Sequence, residues 1–262
     1  MRRSRTLARL RNNETVRMCC LGHYIPAFVK VAAHFGYDCI WLDLEHRSLA
    51  DRDVEALLVQ SHLHDIDIMV RPRTLEKTRL YRYLEDGAAG LMIPHVNDAA
   101  RAQMLVDAVK FPPLGDRGLD GAGLDADYLV DGMTGVADYL SRVNDETFLV
   151  VQVETPAAVQ SVSEIAAVPG VDAVFVGPGD LGLRLKHQDD GMTLESAFED
   201  VAEACREHGK AWGCPAGTPE DLARRQAMGG QLLAHGGDFG AILNGLSTGA
   251  SNFEKNPRGG QA

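Results

Sequence analysis

The sequence predicts an α/β protein folded as a single (β/α)8 TIM barrel. Short β-branched runs alternate with helix-period segments eight times, at spacings of roughly 20 to 40 residues. No break in composition separates the units, which favours one closed barrel over a doubly wound open sheet. Acidic, basic and arginine side chains also collect where successive strands should end.

A short amphipathic helix opens the chain, with Leu7 and Leu10 inward. Strands are predicted at Met18 to Leu21, Cys39 to Asp43, Ile66 to Val70, Gly90 to Ile93, Phe148 to Val153, Ala173 to Val176, Ala211 to Gly213 and Gln231 to Ala234. Each is a brief apolar run, as expected of strands buried on both faces. Helices are predicted at Pro26 to Phe35, Asp51 to His62, Leu75 to Glu85, Asp98 to Lys110, Pro156 to Ala167, Leu194 to His208, Pro219 to Met228 and Asp238 to Thr248. Thr155-Pro156 and Thr218-Pro219 read as helix starts, because proline pre-sets φ where its missing N–H is not needed. Asn97 and Asp238 are candidate N-caps, and Gly36, Gly87, Gly209 and Gly229 stand where helices should stop. Residues 1–250 form the barrel, an insert at 111–144 reads as a loop with an extra helix capping one mouth, and 251–262 form a flexible tail.

Composition narrows the function. The 26 Lys and Arg against 37 Asp and Glu leave a formal charge of −11, which argues against nucleic acid or an anionic membrane surface as the main partner. No run approaches the roughly 18 apolar residues of a membrane span. The N-terminal arginines precede no apolar segment of signal-peptide length. The five cysteines are odd in number and lack CxxC spacing, so they read as reduced core thiols of a cytoplasmic protein.

In such barrels chemistry sits at the C-terminal strand ends, where the loops converge. Those ends carry Asp43-Leu44-Glu45-His46-Arg47, Arg71-Pro72, Pro94-His95, Gln152-Val153-Glu154 and Gly177-Pro178-Gly179-Asp180. Glu154 and Asp180 read as ligands of a divalent cation. Two neighbouring carboxylates repel unless a cation lies between them, and all-oxygen donors suit Mg²⁺, Mn²⁺ or Co²⁺. Read singly, each also fits a helix start. His46 is a candidate general base, or a surface loop histidine. Arg71 follows an apolar run, where a guanidinium needs an anion. That anion is a substrate carboxylate, an ion pair with Asp43 or Glu45, or both. Gly236-Gly237-Asp238 reads as a tight turn or an anion site at a helix start. His62 and His64 read as structural. No lysine stands at a strand end, which argues against Schiff-base chemistry.

Six stretches together carry a resemblance over roughly residues 5 to 250: WLDLEHRSL at 41–49, VRPR at 70–73, LEDGAAGLMIPHV at 84–96, FPPLGDRG at 111–118, VQVET at 151–155 and VPGVDAVFVGPGDLG at 168–182. On these the chain resembles the HpcH/HpaI aldolase and citrate lyase family, specifically its metal-dependent class II pyruvate aldolases. The resemblance implies retro-aldol cleavage of 4-hydroxy-2-oxo acids, of the 2-keto-3-deoxy sugar acid type, to pyruvate and an aldehyde through a cation-stabilised enolate. It implies that Glu154 and Asp180 hold the metal and that Arg71 binds the pyruvyl oxygens. His46 would act as base, supported by Asp43 and oriented by Glu85. Gln152, Trp212 and the backbone of Gly179 and Asp180 would line the substrate pocket. Glu85, His95, Gly179, Gly182, Trp212 and His235 depart from the family's usual residues. A hexamer, a trimer of dimers exchanging the C-terminal helix, is also implied.

Three other readings remain. A CoA-thioester lyase of the malyl-CoA or citryl-CoA type would want a basic surface for the nucleotide phosphates. An oxaloacetate decarboxylase would use the same enolate. A non-catalytic acid-binding barrel would have no need of His46, Arg71, Glu154 and Asp180 together.

Overall fold

The computed structural model describes residues 2–130, 136–187 and 191–255. Eight parallel strands close in sequence order: β1 (Val16–Leu21), β2 (Cys39–Asp43), β3 (Asp67–Arg71), β4 (Gly90–Ile93), β5 (Phe148–Val153), β6 (Ala173–Val176), β7 (Ala211–Pro215) and β8 (Leu232–Gly237). Four strands fall on their predicted residues. β3 lies one residue later than expected, which makes Arg71 its last residue.

Helix α1 (Arg5–Arg11) precedes the barrel; α2 (Pro26–His34), α3 (Asp51–Leu63), α4 (Lys77–Glu85) and α5 (Ala99–Val109) follow the first four strands. The insert holds a 3-10 turn (Leu124–Leu129) and α6 (Val136–Glu146); its residues 131–135 lie outside the described ones. It joins a helix to the start of β5, so it stands at the N-terminal end of the barrel, away from the strand ends where chemistry was expected. The predicted helix over Pro156 to Ala167 is divided at Ser161 into α7 (Pro156–Gln160) and α8 (Val162–Ala167). A helix absent from the sequence reading, α9 (Pro178–Leu185), follows β6 and carries Asp180 in its first turn. Then come α10 (Leu194–Glu207), α11 (Pro219–Ala227) and α12 (Asp238–Lys255). α12 runs beyond its predicted end, so residues 251–255 are helical rather than tail; 256–262 lie outside the described residues.

Local chemistry accounts for these boundaries. The Thr155 and Thr218 hydroxyls accept the N–H of Ala158 and Asp221, as N-caps do. Asp98, not Asn97, caps α5, because the Asn97 side chain accepts instead from the Thr155 hydroxyl. Gly36, Gly87, Gly209 and Gly229 all have positive φ at helix ends, the conformation that costs glycine least.

Two apolar layers result. Outside the barrel Leu42, Val70, Leu91, Val151 and Val174 meet the helices. Inside, Met18, Trp41, Met69, Met92, Phe148, Val150 and Phe175 fill the bore, and Leu7 of α1 closes its N-terminal mouth. That lid is pinned by Asp67, which is fully buried and accepts the Ser4 hydroxyl at 2.7 Å and the Thr6 N–H at 2.8 Å. His62 bonds the Gly87 carbonyl at 3.0 Å, consistent with a structural role.

The bore is packed tightly enough for one methyl group to matter. A Cβ at Gly90 would lie 2.3 Å from the Phe148 ring. Gly90→Ala should therefore lower unfolding free energy by about 1–3 kcal/mol through overpacking, measurable by urea titration; an unchanged midpoint would show that the ring yields freely.

Candidate active site

Side chains alternate along a strand, and the filling of the bore fixes which positions face inward. Cys39 and Trp41 on β2, Met69 on β3, Phe148 and Val150 on β5, and Ala173 and Phe175 on β6 belong to the interior cluster. Counting on by two from these residues reaches Asp43, Arg71, Gln152, Glu154 and Gly177. One parity rule thus delivers an acid, a guanidinium, an amide, a second acid and a bare glycine to the same rim.

Arg71 is the centre of this rim. β2 and β3 pair with Asp43 opposite Arg71. The Arg71 Nε donates to Asp43 Oδ1 at 3.0 Å, and Nη2 lies 2.9 Å from Oδ2, a two-point clamp. The Arg71 Nη1 is 3.1 Å from Glu45 Oε2, and the guanidinium carbon stands 4.6 Å from the Trp41 ring centre. A buried cation is thereby paired and stacked, which offsets its desolvation. Asp43 Oδ1 also accepts the backbone N–H of Glu45 and His46, so one carboxylate holds both the arginine and the loop bearing His46. The His46 ring is exposed, with Nε2 3.6 Å from Glu45 Oε2.

Glu154 follows β5 and is only 3% exposed. Its Oε2 accepts the His95 backbone N–H at 3.1 Å and lies 3.1 Å from His95 Nδ1; His95 Nε2 is 3.3 Å from Glu45 Oε1. His95 therefore bridges two carboxylates, and does so with φ +56, a backbone conformation rare for a side-chain-bearing residue. Burial pushes the Glu154 carboxyl above its ordinary range, the His95 contacts oppose this, and the charges of Glu45 and Asp180 add to it. Asp180 is thus within electrostatic reach of Glu154. Its Oδ1 is held at 2.6 Å by Arg184, which also donates to the Glu154 carbonyl at 3.3 Å.

Comparison with known proteins is decisive at this point. The family model described as HpcH/HpaI aldolase/citrate lyase matches residues 18–244. The chain belongs to that family. It is an enzyme of the class II pyruvate aldolase type. A hydroxypyruvate/pyruvate aldolase of Pseudomonas aeruginosa is 34% identical, covering 94% of this chain and 91% of its own. A 2-keto-3-deoxy-L-rhamnonate aldolase of Escherichia coli is 29% identical, with 96% and 93% covered. The crystal structure of an HpcH/HpaI aldolase from Desulfitobacterium hafniense DCB-2 superposes with a TM-score of 0.88 at 27% identity, covering 97% of this chain and 98% of that one.

Aldolases of this family generally depend on a divalent metal ion, and the rim of this aldolase fits one. A Cβ at Gly177 would lie 2.4 Å from Glu154 Oε1 and 2.9 Å from Gln152 Nε2, so only glycine leaves both polar groups their place. The Gln152 Oε1 is buried with no hydrogen-bond partner among the described residues, an acceptor aimed at something not supplied by the chain. Glu154 is a carboxylate whose charged form gains from any cation brought to it. Among the described residues no group of three or more His, Cys, Asp and Glu is arranged around one point. Two carboxylates would leave most of an octahedral shell to water and substrate.

Two residues assigned by resemblance lie elsewhere. Trp212 occupies the outward parity of β7, 3% exposed and 6.1 Å from Phe198 of α10, so it packs the helix layer rather than the substrate pocket. Glu85 ends α4, which runs antiparallel to the strands and therefore delivers it to the opposite end of the barrel. There burial and Asp125 push its carboxyl up while Arg117 opposes them, and no hydrogen bond joins it to His46 among the described residues. At Gly236-Gly237-Asp238, read as a tight turn or an anion site, the Asp238 carboxylate is turned to the end of β1: its Oδ2 accepts the N–H of Gly22 and His23 and lies 2.6 Å from His23 Nδ1. His95 and Arg184 are the members the sequence reading left without a role; the position of His95 just after β4 was the available signal.

Gly177→Ala should displace the Glu154 carboxylate and weaken Mn²⁺ binding at least about tenfold in calorimetry, one charged contact's worth; unaltered affinity would remove Glu154 from the ligand set. Glu85 supplies a pH test. Its folded-state value lies above the unfolded one, near 4.3, so the folded chain binds the extra proton and stability falls as pH rises through that window. Glu85→Gln should gain stability relative to wild type as pH rises from about 4.3, levelling off above the raised value. A difference that stays constant with pH in urea titrations would contradict the shift.

Proposed function

We propose that this aldolase reversibly cleaves 4-hydroxy-2-oxo acids of the 2-keto-3-deoxy sugar acid type to pyruvate and an aldehyde. The observation that carries the reading is the buried Arg71 guanidinium at the same barrel end as the buried Glu154 carboxylate, with His46 on the loop beside them. Three of the five Arg71 donors are committed to Asp43 and Glu45, which leaves donors for the 2-oxo oxygen of a substrate. Backbone N–H groups of Gly179 and Asp180, in the first turn of α9, suit the substrate carboxylate. The Gln152 amide lines the floor.

His46 takes the proton from the 4-hydroxyl group. The C3–C4 bond then breaks, the aldehyde departs, and the electron pair becomes the enolate of pyruvate, whose negative oxygen faces Arg71. A proton returned to C3 completes pyruvate, and addition runs these steps in reverse. A divalent ion held by Glu154 and Asp180, whether Mg²⁺, Mn²⁺ or Co²⁺, supplies further positive charge beside that oxygen when bound. Asp43 holds the Arg71 fork and the His46 loop in register.

The active unit in this reading is a homo-oligomer, a hexamer built as a trimer of dimers that exchange α12. Phe239, Ile242, Leu243, Leu246 and Phe253 on α12 are exposed large apolar residues, which supports its packing on a second copy. Glu85 then acts on His46 only from a neighbouring copy. Five unbridged cysteines support a reducing, cytoplasmic setting, and no helix among the described residues is long and apolar enough to cross a membrane.

The test is pyruvate release from a panel of 4-hydroxy-2-oxo acids with each ion, before and after chelation. His46→Ala should lower kcat by about 10²- to 10⁴-fold with ion content retained. Undiminished turnover in that variant, or chelator-resistant turnover in wild type, would sink the corresponding assignment.

A further inference from the structure

The mouth of the barrel is not uniformly acidic. From β2 round to β6 it presents Asp43, Glu45, Glu154 and Asp180, but beside the end of β1 stands Arg47. Arg47 follows His46, its Nη1 donates to the His46 carbonyl at 2.9 Å, and it pairs with no carboxylate among the described residues. Its side chain lies across the end of β1: a Cβ at Gly22 would be 2.9 Å from Arg47 Nε and 3.0 Å from Cγ. Glycine at position 22 is what lets the arginine lie there. The next residue, His23, is held by Asp238, whose 4%-exposed carboxylate lies 2.6 Å from His23 Nδ1 and also accepts the N–H groups of Gly22 and His23. The His23 ring is thus fixed one residue beyond the glycine that Arg47 crosses, while its side chain remains 47% exposed.

We propose that Arg47 sets the enzyme's preference among aldehydes by binding a carboxylate at the far end of the substrate, with the fixed His23 ring forming the adjacent polar wall. The inference rests on the aldolase reading above. In that reading C4 lies at His46, so the atoms beyond C4 extend toward the residues next to His46. An anion carried there is repelled by Glu45, Glu154 and Asp180 and meets, among the described residues of this mouth, the guanidinium that no carboxylate pairs. Arginine presents two parallel N–H donors to a carboxylate, and such charge-assisted contacts exceed neutral ones. The favoured substrates are therefore 4-hydroxy-2-oxo diacids, made from pyruvate and a carboxylated aldehyde.

The experiment compares kcat/KM for pyruvate addition to glyoxylate and 5-oxopentanoate with that for acetaldehyde and pentanal, the neutral aldehydes of equal length, in the full-length protein with Mn²⁺. Wild type should favour the longer oxo acid over pentanal. Arg47→Ala should reduce that ratio about 10- to 100-fold, mainly through KM, Arg47→Glu should reduce it further, and Arg47→Lys should restore part of it. Because each ratio is taken within one preparation, partial misfolding of a variant cancels. A wild-type ratio that does not favour the oxo acid, or a ratio unmoved in both Arg47→Ala and Arg47→Glu, would overturn the proposal. Exchange of the pyruvate C3 hydrogens with deuterium from solvent, without any aldehyde, reports on enolate formation separately. Exchange with an unmoved ratio rejects the Arg47 subsite alone, whereas its absence in wild type rejects the aldolase reading and the subsite with it.

Discussion

The clamp between Arg71 and Asp43 is the interaction on which the catalytic end depends. A guanidinium at the end of a buried strand is tolerable only with an anion at hydrogen-bonding distance. The parallel register of β2 and β3 supplies that anion from the neighbouring strand. Asp43 then uses the same oxygen to accept the N–H groups of Glu45 and His46, so the position of His46 is tied to that of the Arg71 cation. From there the contacts continue through Glu45 to His95 and on to Glu154. Four successive strands are thus connected by polar side chains at their C-terminal ends, beside backbone hydrogen bonds such as Leu44 N–H to the Arg71 carbonyl.

Such a rim is electrostatically costly, since acids outnumber the cations that face them. The cost is reduced by pairing Glu45 and Glu154 with one imidazole and Asp180 with Arg184. What remains is a rise in the Glu154 carboxyl, the mark of a group whose charged form is not fully compensated within the chain. The metal-binding role proposed for Glu154 draws on that shortfall, since a carboxylate already satisfied by its neighbours would have little reason to take up a cation.

The two ends of the barrel divide their tasks. At the N-terminal end Asp38 and Asp67, both fully buried, hold the first residues of the chain through short hydrogen bonds and ion pairs. The insert packs at that end with Arg117, Asp125 and Tyr139 in one buried cluster. At the C-terminal end the side chains of His46, His95 and Asp180 reach solvent beside the buried Asp43, Arg71 and Glu154. That division is the expected one for this architecture, where loops at one end vary with chemistry and the other end holds the sheet closed.

Most of the barrel was legible in the sequence because parallel strands buried on both faces leave a local mark, a brief β-branched run that glycines and helix starts punctuate. The residues of the rim were legible for the same reason: Asp43, Arg71 and Glu154 sit just where such runs end. Parity within a strand was equally present in the sequence, and counting it from Ala211 would have turned Trp212 outward. Other facts required the closed structure. That His95 joins Glu45 to Glu154, that Glu85 is carried to the far end by its helix, that α9 forms beneath Asp180, and that Arg47 lies on Gly22 all depend on contacts between strands far apart in the chain. The sequence by itself determined the strands, their order and the chemical types at their ends, since these follow from short-range periodicity and composition. Only the tertiary structure decided which of those groups touch, because closure of the barrel, not spacing along the chain, sets the distances between them.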